Sequence, residues 1–362
     1  MSHSATDRTL IGTRDSNHVI GVVMHPLASR RFSSTDYHTA GEPFRIVHDG
    51  GPVPSGATVA ERRVAAMADG DSADGIRRLL CQEPRGHADM YGGFVVPPND
   101  DGAHFGVLFW HKDGFSTACG HGTIALGVWA TDTGLVPSNP DGLTEVRIDV
   151  PSGRVSATIE RSNGILLSAT FQNVPSHVIA RGIGVSTSRG MVEVDLSFSG
   201  AIYASVRAAD LDLSVSANHY TDLIALGREI KWALNESPEA VHPGDSRLSG
   251  VYGTILWDDL GRDEHGPIQR NTTVFADGEV DRSPCGSGTG ARVALLAADG
   301  TLGAHETLRH HSIVDTLFSA TWTPAPEEGA VTPRVSGTAY PTGTHTFVLD
   351  PGDTLGDGFV LR

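Results

Sequence analysis

Residues 119–125 read Cys-Gly-His-Gly-Thr-Ile-Ala, and residues 285–291 read Cys-Gly-Ser-Gly-Thr-Gly-Ala. The two cysteines, Cys119 and Cys285, stand 285 − 119 = 166 positions apart in matching frames. From the chain's own Gly, Thr and Ala frequencies, the four identities that follow arise by chance in about one of ten thousand Cys pairs, so an internal repeat explains them better. The correspondence continues: Gly134 and Gly300 each lie 15 residues beyond their Cys (134 − 119 = 300 − 285). Each closes a stretch, IALGVWATDT or GARVALLAAD, that is apolar and long enough for a buried helix stopped by glycine.

At 362 residues the chain is long for a single core, so two domains are expected, in agreement with the repeat. Glycine makes up 43 of the 362 residues and 39% are hydrophobic, the composition of a globular protein rich in tight turns. A net charge of −16 argues against nucleic acid and anionic membrane surfaces as partners, because a polyanion repels phosphate. Three cysteines make no disulfide framework and lead us to expect a cytoplasmic location. No apolar run approaches the roughly 18 residues of a membrane span. Residues 1–31 lack the pattern of a secretory leader and are expected to form a poorly ordered or loosely docked extension. Within them, HVIGVVMHP is a candidate added edge strand.

Most of the remaining chain reads as short strands punctuated by Gly, Pro and Asp, among them PFRIV, HFGVLFW, EVRIDVP, RVSATIE, ILLSATFQNVP, MVEVDLSFSG, AIYASVR, VYGTILW, NTTVFADG and HTFVLDPGD. Besides the two repeat helices, helical periodicity marks VAERRVAAMAD, IRRLLC and TDLIALGREIKWALNES, the last with Leu223, Leu226, Ile230 and Leu234 on one face. Strands, one helix, strands, repeated, is an α+β arrangement. The repeat spacing alone divides it near Ser168.

A Cys at a helix start followed by Gly-x-Gly sits where unpaired backbone N–H groups and the helix dipole favour negative charge, which is expected to lower a thiol's pKa. The same N–H groups, bared by Gly120 and Gly286, suit a substrate carboxylate. The alternative for either cysteine is a buried structural thiol. Cys81, in LLCQEPRGH, lacks the glycine frame and is expected to be structural. His305, His310 and His311 form no recognised metal-ligand spacing, so no metal is expected.

The chain resembles the proline racemase family, which has the diaminopimelate epimerase type of fold. The matching pieces are DYHTAGEP (36–43), EPRGHADMYGG (83–93), CGHGTIA (119–125), DRSPCGSGT (281–289) and GTAYPTGTHTFVLDPGDTLGDGF (337–359). Ala118 departs from the Met common before the first Cys, and Ser287 from a frequent Thr. The resemblance implies two pseudo-symmetric domains, each a curved, mostly antiparallel sheet wrapped around a central helix. Residues 32–167 plus 343–362 would form one and 168–342 the other.

The resemblance also implies cofactor-independent chemistry at the α-carbon of a proline-type imino acid, proline or 4-hydroxyproline. Cys119 and Cys285 are then the two acid/base groups, because inversion takes a proton from one face and returns one to the other. Gly120, Gly286 and Ser287 match the carboxylate-holding backbone. His121 and Asp281 match positions that contact the ring nitrogen, and Tyr91 and Phe275 match the aromatic walls of the ring pocket. Taken without the resemblance, His121 could face solvent, Asp281 could form a turn, and the two aromatics could be plain core. Asp36 and His38 have no evident chemical role and are expected to support the site. Dehydration of trans-3-hydroxy-L-proline on the same scaffold is the alternative; members doing so often have one Cys replaced by Ser or Thr, so the retention of both Cys119 and Cys285 argues against it. A non-catalytic imino-acid binding or thiol redox protein is a more remote one. The family often forms dimers.

Overall fold

The computed structural model describes residues 27–68 and 72–361. Among them are five α-helices: α1 (Val59–Ala66), α2 (Ser72–Cys81), α3 (Gly120–Asp132), α4 (Tyr220–Asn235) and α5 (Gly286–Ala298). α3 and α5 are the two repeat helices, and each starts directly after its cysteine. Residues 120–131 of α3 and 286–296 of α5 are all buried, so neither helix needs a polar stripe. Gly134 and Gly300 stop them in the left-handed region at φ 73° and 69°. Even the closing hydrogen bonds repeat one period apart, Val136 N–H to Ala130 O and Leu302 N–H to Leu296 O, at 2.9 and 3.0 Å.

The strands of the first part of the chain are β1 (Arg31–Thr39), β2 (Glu42–Asp49), β3 (Gly92–Val96), β4 (Phe105–His111), β5 (Gly114–Phe115), β6 (Gly142–Val150), β7 (Gly153–Ser162) and β8 (Ile165–Gln172). Those of the second are β9 (His177–Thr187), β10 (Gly190–Phe198), β11 (Ile202–Arg207), β12 (Val251–Asp263), β13 (Gly266–Phe275), β14 (Glu279–Asp281), β15 (Leu308–Ser312), β16 (Leu317–Pro324), β17 (Val331–Gly337) and β18 (Ala339–Val348). Their pairing order repeats. β1–β2 is antiparallel, β2–β3 parallel, β3–β4 antiparallel, β4–β6 parallel, and β6–β7 and β7–β8 antiparallel. β10–β11, β11–β12, β12–β13, β13–β15, β15–β16 and β16–β17 follow the same sequence of orientations. β18 flanks β1 as β9 flanks β10, and β8 pairs with β17 to join the two sets.

The fold is therefore α+β, with two pseudo-symmetric strand sets joined into one continuous sheet among the described residues. α3 packs against β1, β2, β6, β7, β8 and β18, and α5 against β9, β10, β11, β16 and β17. Position 168 lies inside β8 and position 343 inside β18. Outer helices cover the other faces. Alternate residues of β4 serve two cores: Phe105, Val107 and Phe109 face the α3 side, while Leu108 and Trp110 pack with α1 and α2 residues. α4 lays Leu223, Leu226, Ile230 and Leu234, the four residues of its predicted face, onto β9, β12 and β13. Each large apolar side chain so buried contributes about 1.5–3 kcal/mol.

Leu27 is buried among α1 and α2 residues and Arg31 opens β1, so residues 27–31 are docked rather than loose. The candidate strand HVIGVVMHP lies outside the described residues. No helix among the described residues is long and apolar enough to cross a membrane.

Candidate active site

The chain reaches each cysteine by the same route, a short strand and then a turn. β5 leads to Cys119 and β14 to Cys285. Cys119 has extended backbone and caps α3: its Sγ accepts the Gly122 N–H at 3.2 Å. Cys285 instead sits at φ 61°, a strained position for a side chain-bearing residue. It is held there by Ser283 Oγ, which accepts its N–H at 3.1 Å, and by Asn271 Nδ2, which donates to Pro284 O at 3.0 Å.

The two helix starts meet backbone to backbone. A β-carbon built on Gly120 would lie 2.6 Å from Gly286 Cα, and one on Gly286 would lie 2.6 Å from Gly120 Cα. These glycines are thus required first by each other, a reason the sequence does not display.

Around this junction Tyr91, Cys119, Gly120, His121, Phe275, Asp281, Cys285 and Ser287 line one closed cavity. Gly286 is not on the lining and serves through its contact with Gly120. Ala118, noted in the sequence only as a departure from the family's Met, also lines it, and two lining residues escaped sequence reasoning: Tyr203 and Tyr252. Both tyrosines stand in apolar strands, where an aromatic reads as core. Tyr252 stacks on Phe275 with ring centroids 5.6 Å apart, and Tyr91 meets His121 edge-on at 5.1 Å. Tyr91 bonds Ser116 Oγ and, at 3.0 Å, the Tyr252 hydroxyl, while Tyr203 bonds Ser287 Oγ at 2.7 Å. The cavity measures only about 10 Å³, space for about one water. Admitting a ring therefore requires the walls to part.

Burial decides the protonation states. Both thiols are pushed well above the usual thiol range, overriding the lowering expected from the helix start. For Cys119 the Gly122 N–H works against burial and Asp281 with it. For Cys285 Asp281 again adds to burial, while hydrogen bonds from Thr273 and Gly288 oppose. Burial likewise lowers His121 to about 4, with Asp281 opposing. His121 lies 3.5 Å from Cys119 Sγ and its Nδ1 is 3.7 Å from Asp281 Oδ2. Asp281 Oδ1 is committed to the Ser283 N–H and hydroxyl at 2.8 and 2.7 Å, which leaves Oδ2 as its cavity-side oxygen.

Two residues of DYHTAGEP hold the site, and they are not the two singled out from sequence. Thr39 donates to His121 O at 2.9 Å, and buried Glu42 accepts the Arg282 N–H at 2.8 Å and faces its Nε at 3.0 Å. Glu42, at the start of β2, thereby pins the turn that follows Asp281 at the end of β14. Asp36 pairs with Arg45 at 2.8 Å and His38 packs beside Tyr340; neither lines the cavity. Cys81 is buried at the end of α2, its thiol 3.4 Å from Met90 O.

His310 bonds Thr289 Oγ1 at 2.8 Å and His311 faces Asp315 at 3.4 Å. Among the described residues the donor group that would suit a metal is a different one, His111, Asp113 and Glu279. Lys112 Nζ already stands 2.6 Å from Asp113 and 4.0 Å from Glu279, so an ammonium supplies the positive charge there.

A sequence profile of the family described as proline racemase matches residues 34–360. The chain is 42% identical over 340 residues to a trans-3-hydroxy-L-proline dehydratase of Burkholderia cenocepacia, covering 92% of this chain and 99% of that protein. It is equally 42% identical, over 339 residues, to a 3-hydroxyproline 2-epimerase of Burkholderia multivorans, with the same coverage of both. Among solved structures it is similar to a hydroxyproline epimerase from Agrobacterium vitis with bound trans-4-hydroxy-L-proline, at a TM-score of 0.84 and 28% identity, covering 92% of this chain and 96% of the other. With its repeat, its fold and its paired cysteines in one cavity, this chain belongs to the proline racemase family of enzymes.

Proposed function

We propose that the protein is a cofactor-independent epimerase that inverts the α-carbon of a hydroxyproline, or of proline, using Cys119 and Cys285 as paired acid and base. The observation that carries this is the presence of both thiols on one cavity, each at the start of a buried helix and one repeat apart. In each direction one cysteine as thiolate removes the α-proton while the other as thiol supplies one. The α-C–H is a weak acid. Backbone N–H groups at the two helix starts are the donors for the substrate carboxylate, on which carbanion charge develops.

Asp281 and His121, both on the cavity lining, would meet the ring nitrogen. A secondary ammonium beside Asp281 cancels the carboxylate charge that raises both thiols, so substrate binding itself eases ionisation. Tyr91, Phe275, Tyr203 and Tyr252 would enclose the ring, and Ser287 with Tyr203 is the polar pair nearest to deciding which hydroxyl is accepted. We further take the halves to be 32–167 with 343–362, and 168–342, and the setting to be cytoplasmic; a homodimer fits the family habit.

The second reading is dehydration of trans-3-hydroxy-L-proline, favoured by the name of the Burkholderia cenocepacia relative. It needs one base only. A panel of L-proline, trans-4-hydroxy-L-proline and trans-3-hydroxy-L-proline, resolved by chiral chromatography, separates the two. The expected result is an inverted product with the hydroxyl retained. Loss of the 3-hydroxyl with ketimine formation and no inverted product would overturn the epimerase assignment.

A further inference from the structure

Directly outside the catalytic cavity lies a second, larger one of about 350 Å³, within the range of small-molecule sites. The two share Tyr252, and Ser116, whose hydroxyl bonds Tyr91, also lines the outer one. The wall between them is thus the hydrogen-bonded pair Tyr91–Tyr252.

The charges of the outer cavity are unevenly satisfied. Its carboxylates are occupied: Asp113 by Lys112 at 2.6 Å and Asp277 by Arg228 at 2.6 Å. Its cations are not. Lys231, 6% exposed, holds its Nζ 3.7 Å from the centre of the Trp232 ring, and among the described residues that nitrogen has neither a hydrogen-bond acceptor nor a carboxylate within 4 Å. Among the described residues Arg63 donates only to backbone carbonyls, of Phe115 at 2.9 Å and Arg247 at 3.3 Å. A largely buried ammonium with no carboxylate in direct contact is costly, and burial lowers Lys231 to about 8 although the more distant Asp113 and Asp277 carboxylates oppose it. Lys231 and Arg63 are thus open to a direct anionic partner, beside aromatic surface from Trp232 and Tyr252.

We propose that the outer cavity is a holding site for the imino acid on its way to the cysteines, with the substrate carboxylate on Lys231 and Arg63 and its ring against Trp232 and Tyr252. This rests on the function proposed above. Of the two adjoining cavities, only the outer one has room for such a molecule. Passage inward then requires breaking the Tyr91–Tyr252 hydrogen bond. Because the holding site acts before chemistry, its loss lowers kcat/KM and leaves kcat unchanged.

The test is steady-state kinetics of the full chain with the hydroxyproline or proline that the panel identifies. Lys231→Met, which keeps the stem and removes the charge, is expected to lower kcat/KM about tenfold through KM, the size of a lost charged hydrogen bond. Lys231→Arg is expected to recover most of it. Arg63→Gln, on a different helix, is expected to lower kcat/KM in the same way and serves if Lys231→Met does not fold. An active wild type whose kcat/KM is unchanged in these variants overturns the holding site alone. So does a fall in kcat with KM constant. A wild type inactive on every imino acid of the panel overturns the function and the holding site together.

Discussion

The proposed reaction asks Cys119 and Cys285 to ionise in a place that resists ionisation. Burial and the nearby Asp281 carboxylate keep both thiols neutral in the closed cavity, and the helix-start N–H groups offset only part of this. At pH 7 the free protein is expected to react with iodoacetamide more slowly at these positions than a free cysteine does, with the rate rising as pH climbs beyond the ordinary thiol range. Peptide mapping after alkylation checks it; fast labelling at pH 7 would show that the helix starts prevail. Cys119→Ser and Cys285→Ser are each expected to lower turnover by at least ~10²-fold while melting close to wild type, the size of a lost proton-transfer group. Full retention of activity in either variant rules out paired-thiol catalysis.

Residue-level legibility followed chemistry. Eight of the nine candidate site residues line the cavity, because thiols, a carboxylate and Gly-x-Gly stand out from a background of strands. Tyr203 and Tyr252 did not stand out, since a tyrosine that lines a cavity and one that fills a core have the same strand pattern. Thr39 and Glu42 were overlooked in favour of Asp36 and His38, because a contact between segments distant in sequence leaves no local mark.

At the level of elements, the junction of α3 with α5 is where the fold is least tolerant. A methyl group on Gly120 or Gly286 would press into the facing backbone at 2.6 Å, and backbone cannot swing aside as a side chain can. Gly120→Ala is therefore expected to cost about 1–3 kcal/mol or more in urea unfolding and to abolish turnover. Gly75, inside α2, is the opposite case: among the described residues its added β-carbon would meet Leu27 alone, at 4.0 Å. Gly75→Ala is expected to stabilise by about 0.5–1 kcal/mol through helix propensity. Equal effects at the two positions would contradict the proposed junction.

Helices were easier to anticipate than strands. The glycine stops at 134 and 300 and the apolar face of α4 follow from local rules. β9, β16 and β17 did not: β9 carries Arg181 and two glycines, and β16 and β17 contain Pro324 and Pro333, residues that ordinarily argue against a strand interior. They hold because α5 packs on them, Pro333 lying against Gly290.

Across the molecule, burial of ionisable groups ties stability to pH. His310 is fully buried, neutral, and lowered by burial to about 3, whereas an unfolded histidine titrates near 6.5. Between those values the unfolded chain binds the extra proton, so this contribution is complete above pH 6.5 and is lost as pH falls toward 3. Replacing His310 by Gln removes it. The stability difference between wild type and His310→Gln is expected to shrink by up to about 1.4 kcal/mol per pH unit as pH falls from 6 to 4. A difference constant over that interval, read by urea melts, would mean that the imidazole is not neutral in the native state.

The repeated pairing order, two strand sets around two helices that touch at their starts, is what places one thiol from each half on a single cavity. The most direct test follows the α-hydrogen through the first turnovers in D₂O, by NMR, with enantiopure hydroxyproline. Paired thiols predict that the inverted product carries deuterium at the α-carbon while the remaining substrate still carries hydrogen, because one cysteine takes the proton and the other, exchanged with solvent, delivers deuterium. Deuterium entering substrate and product at equal rates, or elimination of a hydroxyl without inversion, would contradict it.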